Sequence, residues 1–307
     1  MIDLSVAVES YLQMRRGLGF KLVDAGWLLP DFVGYLGENG AEHVSIDLAL
    51  AWATQPADAS PLWWRQRLGF VRGFAQYLRS FDPETEVPSR NLLPARQQRV
   101  APYLYSDEDL AALMAAARGL NPPLRAATYE TLIGLLSVTG LRLGEVLALD
   151  RTDIEEDQLL LSVRHAKGGG RKVPLHETSL QALGRYLNLV DQYFPQLVST
   201  PVFVSIRGTR MTKDSVHATF PVLIDRAGLT GRGQRPRPRI HDLRHSYAVH
   251  QLIDWHQQRV DLDAKIPLLS AVLGHKEPIS TYWYFQAAPE LFAIIGQRLD
   301  EFLGELP

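Results

Sequence analysis

The sequence predicts a mainly α-helical chain, with a helical N-terminal domain and a mostly helical second domain that carries a small antiparallel β-sheet. Apolar residues recur at helical spacing through the first third, and the period shortens to that of strands only around residues 158–175. Between the two stretches lies a proline-flanked, basic segment, Ala95-Arg-Gln-Gln-Arg-Val-Ala-Pro102. With 307 residues, 46% hydrophobic and 21% charged, each side has enough apolar chain for its own core. The expected boundaries are residues 1–95 for the first domain, 96–102 for the linker and 103–307 for the second domain.

In the first domain, Val6 to Met14, Trp27 to Leu36, Ile46 to Ala53 and Leu62 to Leu78 each place apolar residues on one helical face. The last of these aligns Leu68, Val71, Phe74, Ala75 and Leu78 on one stripe, while Arg65, Arg72 and Arg79 repeat every seven residues along another side. After the linker, Ser106-Asp-Glu-Asp109 reads as a capping box opening a helix to about Arg118. Residues 124–138 form a second helix and Glu145 opens a short one ending near Leu149. Gln158 to Val163 and Arg171 to Leu175 read as strands joined by a turn holding Lys167 and three glycines. Helices return at Thr178 to Val190, Lys213 to Ala227, His241 to Asp254, Pro267 to Leu273 and Pro289 to Leu303. The last presents Phe292, Ile295, Leu299 and Phe302 on one stripe, a face for its own domain or for a neighbouring copy.

Composition narrows the function classes. There is no cysteine, which removes disulfides and thiolate metal sites and fits a reducing interior. The opening MIDLSVAVES lacks a basic n-region, and no apolar run approaches the ~18 residues that span a bilayer, so a soluble, cytoplasmic protein without membrane association is expected. Net charge is only −2, yet charge is segregated: Arg232, Arg235, Arg237, Arg239 and Arg244 face a single Asp242 between residues 231 and 247, and acids cluster at 153–157. Binding follows local fields, so nucleic acid stays a candidate partner.

The chemistry gathers in TGLRLGE (139–145, carrying Arg142), the hairpin lysine Lys167, HDLRH (241–245), LGH (273–275) and TYWYF (281–285). Arginine forks match phosphate oxygens and stay charged, so Arg142 and Arg244 suit a phosphate clamp, with Glu145 placed to hold Arg142. His241 shares a helical face with Arg244 and titrates near neutrality, as a proton acceptor should. Lys167 at a glycine-rich tip suits a general acid, and neighbouring Arg164, Arg171 and Lys172 suit backbone contacts to DNA. Tyr284 and Tyr282 are both candidate nucleophiles, since a phenol attacks once a base and positive charge draw off its proton. His241 and His245, four apart, also allow a metal-hydrolase reading, but the glutamate of H-E-x-x-H is missing and Arg244 would repel a cation.

In order and spacing, over about residues 100–300, this set resembles the tyrosine recombinases, also called the phage integrase family. The matching positions are Arg142, Lys167, His241, Arg244, His275 and Tyr284, and the nine-residue step from His275 selects Tyr284 over Tyr282. The resemblance implies cleavage and rejoining of DNA through a 3′-phosphotyrosyl link, with no metal, cofactor or ATP. It implies a core-binding first domain that clamps double-stranded DNA and a homo-oligomer, dimer to tetramer, on that DNA. Arg65, Arg72, Arg79, Arg164, Arg171, Lys172, Arg235, Arg237 and Arg239 are the expected DNA contacts. The wording STYWYFQAAPELF resembles transposon-associated recombinases, including those encoded as tandem trios, which implies sibling recombinases as partners. One departure is the longer stretch between Arg244 and His275, through residues 254–261. Two other readings share the chemistry or the fold: a catalytically silent DNA-binding accessory protein and a type IB topoisomerase.

Overall fold

Polar caps set where the helices begin. Asp3, Ser45 and Ser60 each accept hydrogen bonds from backbone N–H groups of the following turn, starting α1 (Leu4–Gly17), α3 (Ile46–Thr54) and α4 (Pro61–Leu78). Between them, α2 (Val23–Glu38) carries Pro30 within its length. The computed structural model describes residues 2–93, 102–164, 169–196, 201–231, 237–275, 277, 281, 282 and 284. Its chain forms two compact units, Met1–Arg99 and Val100–Pro307. Linker residues 96–101, Lys167, Arg235 and the apolar stripe at 292–302 lie outside the described residues.

The first unit closes α1 to α4 around Val8, Leu28, Phe32, Trp52, Val71 and Phe74. All five residues of the expected α4 stripe are buried. A cation also enters that core. Arg67 lies 3.8 Å over the Trp52 ring and donates to the Trp52 carbonyl at 2.8 Å, while Trp52 Nε1 donates to Asp31 at 2.9 Å.

The second unit opens on the expected capping box: Ser106 and Asp109 exchange bonds at the start of α5 (Asp107–Arg118). Then come α6 (Pro123–Thr139) and the short α7 (Leu143–Leu147), followed by β1 (Ile154–Glu155), β2 (Leu160–Val163) and β3 (Arg171–Pro174). The three strands form one antiparallel sheet in the order β1-β2-β3, with Val163 opposite Arg171 where β2 and β3 meet their connecting turn. The sheet is followed by α8 (Glu177–Tyr193), α9 (Lys213–Arg226), α10 (Asp242–Gln257) and α11 (Leu262–Leu273).

The main core joins α5, α6, α8 and α9 to the sheet through Leu132, Ile133, Leu161, Val173, Phe203 and Leu223. A separate cluster of Ala248, Val249, Leu252, Ile266, Leu269, Leu273 and Tyr284 packs α10 against α11. Two expectations need correction. The short helix starts at Leu143, not Glu145, because the Glu145 carboxylate reaches back to the Arg142 N–H and caps the turn. α11 starts at Leu262, not Pro267, because Asp261 caps Asp263 and Ala264, leaving Pro267 inside the helix.

Candidate active site

The C-terminus of α11 organises the site. Gly274 takes φ +66° and stops the helix, leaving the last carbonyls without helical partners. Three successive carbonyls are each taken by an arginine from a different segment. Arg171 Nε donates to Val272 at 2.7 Å, Arg244 Nη2 to Leu273 at 2.7 Å, and Arg142 Nη2 to Gly274 at 3.2 Å. The partial negative charge of a helix end favours cations there.

The other side of each guanidinium is also fixed. Arg244 is buried at 3% exposure, and its Nη1 donates 2.7 Å to the carbonyl of Gly140, the residue at φ +61° that ends α6. A Cβ at Gly140 would stand 2.9 Å from Leu273 Cδ2, so TGLRLGE needs glycine there for both angle and space. Arg142 Nη1 donates to Glu145 Oε1 at 2.9 Å, and Arg171 donates to both oxygens of the same carboxylate at 3.1 and 2.8 Å. Burial would raise the Glu145 carboxyl, but the hydrogen bonds and charges of Arg171 and Arg142 outweigh it and hold it near about 2. Glu145 is thus a buried anion shared by two arginines.

Arginine has no acceptor, which fixes the tautomer of His275. Arg244 Nη2 lies 2.9 Å from His275 Nε2, so Nε2 accepts and Nδ1 carries the proton, donating to Thr281 Oγ1 at 2.8 Å. Thr281 meets Ser270 at 2.5 Å in turn. Burial first, then Arg244, Arg142 and Arg171, push His275 down to about 4, so near neutral pH it is an uncharged ring orienting Arg244.

His241 stands at the N-terminus of α10. Its pKa is lowered by partial withdrawal from solvent and by Arg244, with Asp242 opposing. Its ring meets the His245 ring edge-on at 4.8 Å, and His245 in turn lies 5.5 Å from the Tyr284 ring. Burial and the cations around it push His245 down to about 3. Tyr284 is 2% exposed, stacks 6.1 Å from His275 and is hydrogen-bonded by Arg244. Burial raises its phenol, while the charge and hydrogen bond of Arg244 oppose that rise. The structure therefore brings Arg142, His241, Arg244, His275 and Tyr284 to one place. Tyr282, the competing phenol, is 44% exposed and lines a separate open groove with Arg259 and Asp261.

The expected DNA contacts fare unevenly. Arg171 is corrected: its side chain is only 11% exposed and faces Glu145 and Val272, because β3 runs against the end of α11. Carboxylates, two of them buried, hold four of the others. Arg164 pairs with Asp153 at 2.6 Å, Lys172 with Glu155 at 2.7 Å, Arg239 with Asp242 at 3.0 Å, and Arg237 with Asp225. On α4 and at its end, Arg65 and Arg79 are exposed, and Arg72 is lowered by burial and by the charges of Arg90 and Arg65, which marks a cationic face.

Sequence reading missed two members of the site, Thr281 and Gly274. The signal for Thr281 was a hydroxyl six residues after a histidine, too common to single out. Gly274 matters because a Cβ there would sit 2.7 Å from Arg171 Nη1 and 2.8 Å from its Cζ. Gly274→Ala is therefore expected to lower stability by ~1–3 kcal/mol, through the positive φ and the displaced guanidinium. Urea unfolding of the two proteins checks it, and an unchanged midpoint contradicts it.

The sequence model of the phage integrase family matches residues 104–290. A putative integrase/recombinase y4rB of Sinorhizobium fredii is 41% identical, covering 96% of this chain and 96% of its own length. Tyrosine recombinase XerD of Caulobacter vibrioides is 27% identical over 94% of each chain. Among solved structures, the Tn1549 transposon integrase in complex with transposon right end DNA superposes with a TM-score of 0.67 at 15% identity, covering 95% of this chain and 99% of that one. A lambda integrase dimer bound to a COC′ core site gives 0.62 at 18% identity, covering 90% and 96%. At such identities the structural likeness speaks for the fold, and the family match over most of the second unit speaks for descent. On both grounds this chain belongs to the phage integrase family.

Proposed function

We propose that this chain is a site-specific DNA recombinase that breaks and rejoins strands through a covalent link between Tyr284 and a 3′-phosphate. The observation that carries the reading is the meeting of a phenol, two arginines and two imidazoles at the junction of α10 and α11. Tyr284 Oη attacks phosphorus as the P–O5′ bond breaks. The phenolic proton passes to His241, and Lys167 supplies a proton to the departing 5′ oxygen. Arg142 and Arg244 neutralise the charge that grows on the non-bridging oxygens. His275, neutral and bonded to Arg244, holds that guanidinium in its working orientation. One phosphodiester is exchanged for another, so a 5′-hydroxyl can reverse the step without ATP.

The same reading gives the first unit the role of a core-binding domain, with Arg65, Arg72 and Arg79 on the DNA backbone, and gives Arg164, Lys172, Arg235, Arg237 and Arg239 supporting contacts. The named Tn1549 and lambda integrase structures hold DNA, and the latter is a dimer. That supports double-stranded DNA as substrate and a homo-oligomer as the acting form; sibling recombinases as further partners rest on the sequence resemblance alone. The reaction is tested on a nicked duplex whose 5′-hydroxyl fragment diffuses away. The expected product is a protein–DNA adduct that survives denaturation and yields a phosphorylated peptide containing Tyr284. Persistent absence of an adduct on the cognate site, with sibling proteins present, favours a silent accessory role. Sequence-independent relaxation by the monomer favours a topoisomerase.

A further inference from the structure

Arg171 has no part in the chemistry just proposed, yet it is among the most fully engaged cations in the second unit. It opens β3, four residues after Lys167, and pairs with Val163 across the ladder. Its guanidinium spans Glu145 on one side and the Val272 carbonyl on the other, at 2.7 to 3.1 Å. Gly274, lacking a side chain, lets it lie flat against the turn that leads into His275. The opposite root of the same hairpin is held by Arg164, paired with Asp153 and donating to the Thr152 carbonyl at 3.4 Å. One residue therefore ties the return strand of the lysine hairpin to the carboxylate that holds Arg142 and to the helix end that holds Arg244.

We infer that Arg171 is a positioning residue for strand cleavage: it anchors the hairpin root so that Lys167 delivers its proton to the leaving oxygen. This rests on the roles proposed above for Tyr284 and Lys167. A lysine at position 171 keeps the charge but cannot bridge both carboxylate oxygens and a carbonyl, because it lacks the planar fork. A misplacement of about 1 Å costs on the order of 100-fold in rate. An interior guanidinium that contacts no phosphate contributes nothing to counterion release.

The test compares wild-type and Arg171→Lys on two duplexes, one ordinary and one with sulfur in place of the bridging 5′ oxygen. A thiolate, with a pKa near ~8.5, leaves without a proton donor. Arg171→Lys is expected to form adduct roughly 10- to 100-fold more slowly on the ordinary duplex. Affinity for uncleaved DNA and its salt slope should stay as in wild-type, and the sulfur duplex should restore the rate to within a few-fold of wild-type. Equal defects on both duplexes mean a merely structural role and overturn the inference. A salt slope reduced by about one unit, with affinity lost, means a phosphate contact and overturns it too. If Arg171→Lys does not fold, as judged by circular dichroism, Arg171→Gln, whose amide can still donate to the Glu145 carboxylate, takes its place with the same expected outcomes. A wild-type protein that traps no DNA on either duplex points instead to failure of the Tyr284 reading.

Discussion

Tyr284→Phe is expected to bind its DNA site with near wild-type affinity while adduct formation falls by on the order of 10⁵-fold or more, as when an enzyme loses its nucleophile. Affinity should survive because the proposed phosphate-facing groups are the arginines, and nothing in the bonds of Arg244 to Gly140, Leu273 and His275 needs the phenol. The fold survives because the ring packs among Val249, Leu252, Leu269 and Leu273, where phenylalanine has the same shape. The stability cost is that of one hydroxyl interaction, about 0.5–1.5 kcal/mol. Denaturing gels of trapped DNA and filter binding of uncleaved DNA measure the two quantities separately. The parallel Tyr282→Phe protein should cleave normally, since that phenol is half-exposed in a groove lined by Arg259 and Asp261 and not by Arg142 or Arg244. An adduct that persists in Tyr284→Phe and disappears in Tyr282→Phe would overturn the assignment.

Glu145→Gln should be costly in both stability and rate. The carboxylate is 6% exposed and Arg171 is nearly as enclosed, so neutralising the acid strands a buried guanidinium. Removing one partner of such a pair costs ~3–5 kcal/mol. The acid branch gives an independent check. The folded carboxyl sits near about 2 against an ordinary value of 4.5. A lowered folded pKa means the unfolded chain binds the proton more readily, so this contribution is complete above about pH 4.5 and fades as pH falls toward 2. Its size is roughly 3 kcal/mol at 1.4 kcal/mol per unit. Urea midpoints measured from pH 6 down to 3 should therefore fall more steeply in wild-type than in Glu145→Gln. Parallel curves would show that the carboxylate is not held by the two arginines.

Much of this molecule was legible before its structure because local rules govern the legible parts. The capped start at Ser106 and the apolar stripe of α4 depend on neighbours within a turn or two, and they appear as expected. Five of the six motif residues, Arg142, His241, Arg244, His275 and Tyr284, meet in the structure, and they could be picked from the sequence because reaction chemistry restricts residue type more tightly than packing does. The place of Arg171 was not legible, since an arginine opening a strand beside a glycine-rich turn looks solvent-facing, and its partner Glu145 is 26 residues away. Arg67 shows the same blindness: the seven-residue repeat drew attention to Arg65, Arg72 and Arg79, while the cation between them turned inward onto Trp52. The two-residue strand β1 is too short to produce any periodicity.

The three carbonyls at the end of α11 also bear on the order in which the molecule becomes competent. Arg142 and Arg171 leave the ribosome long before Val272, Leu273 and Gly274, yet their alignment depends on those later atoms. A nascent chain that ends after β3 can still pair Arg142 and Arg171 through Glu145, but it lacks the carbonyls that fix the other side of each guanidinium. It also lacks Arg244, His275 and Tyr284, so the cluster is complete only once the chain has been made past α11.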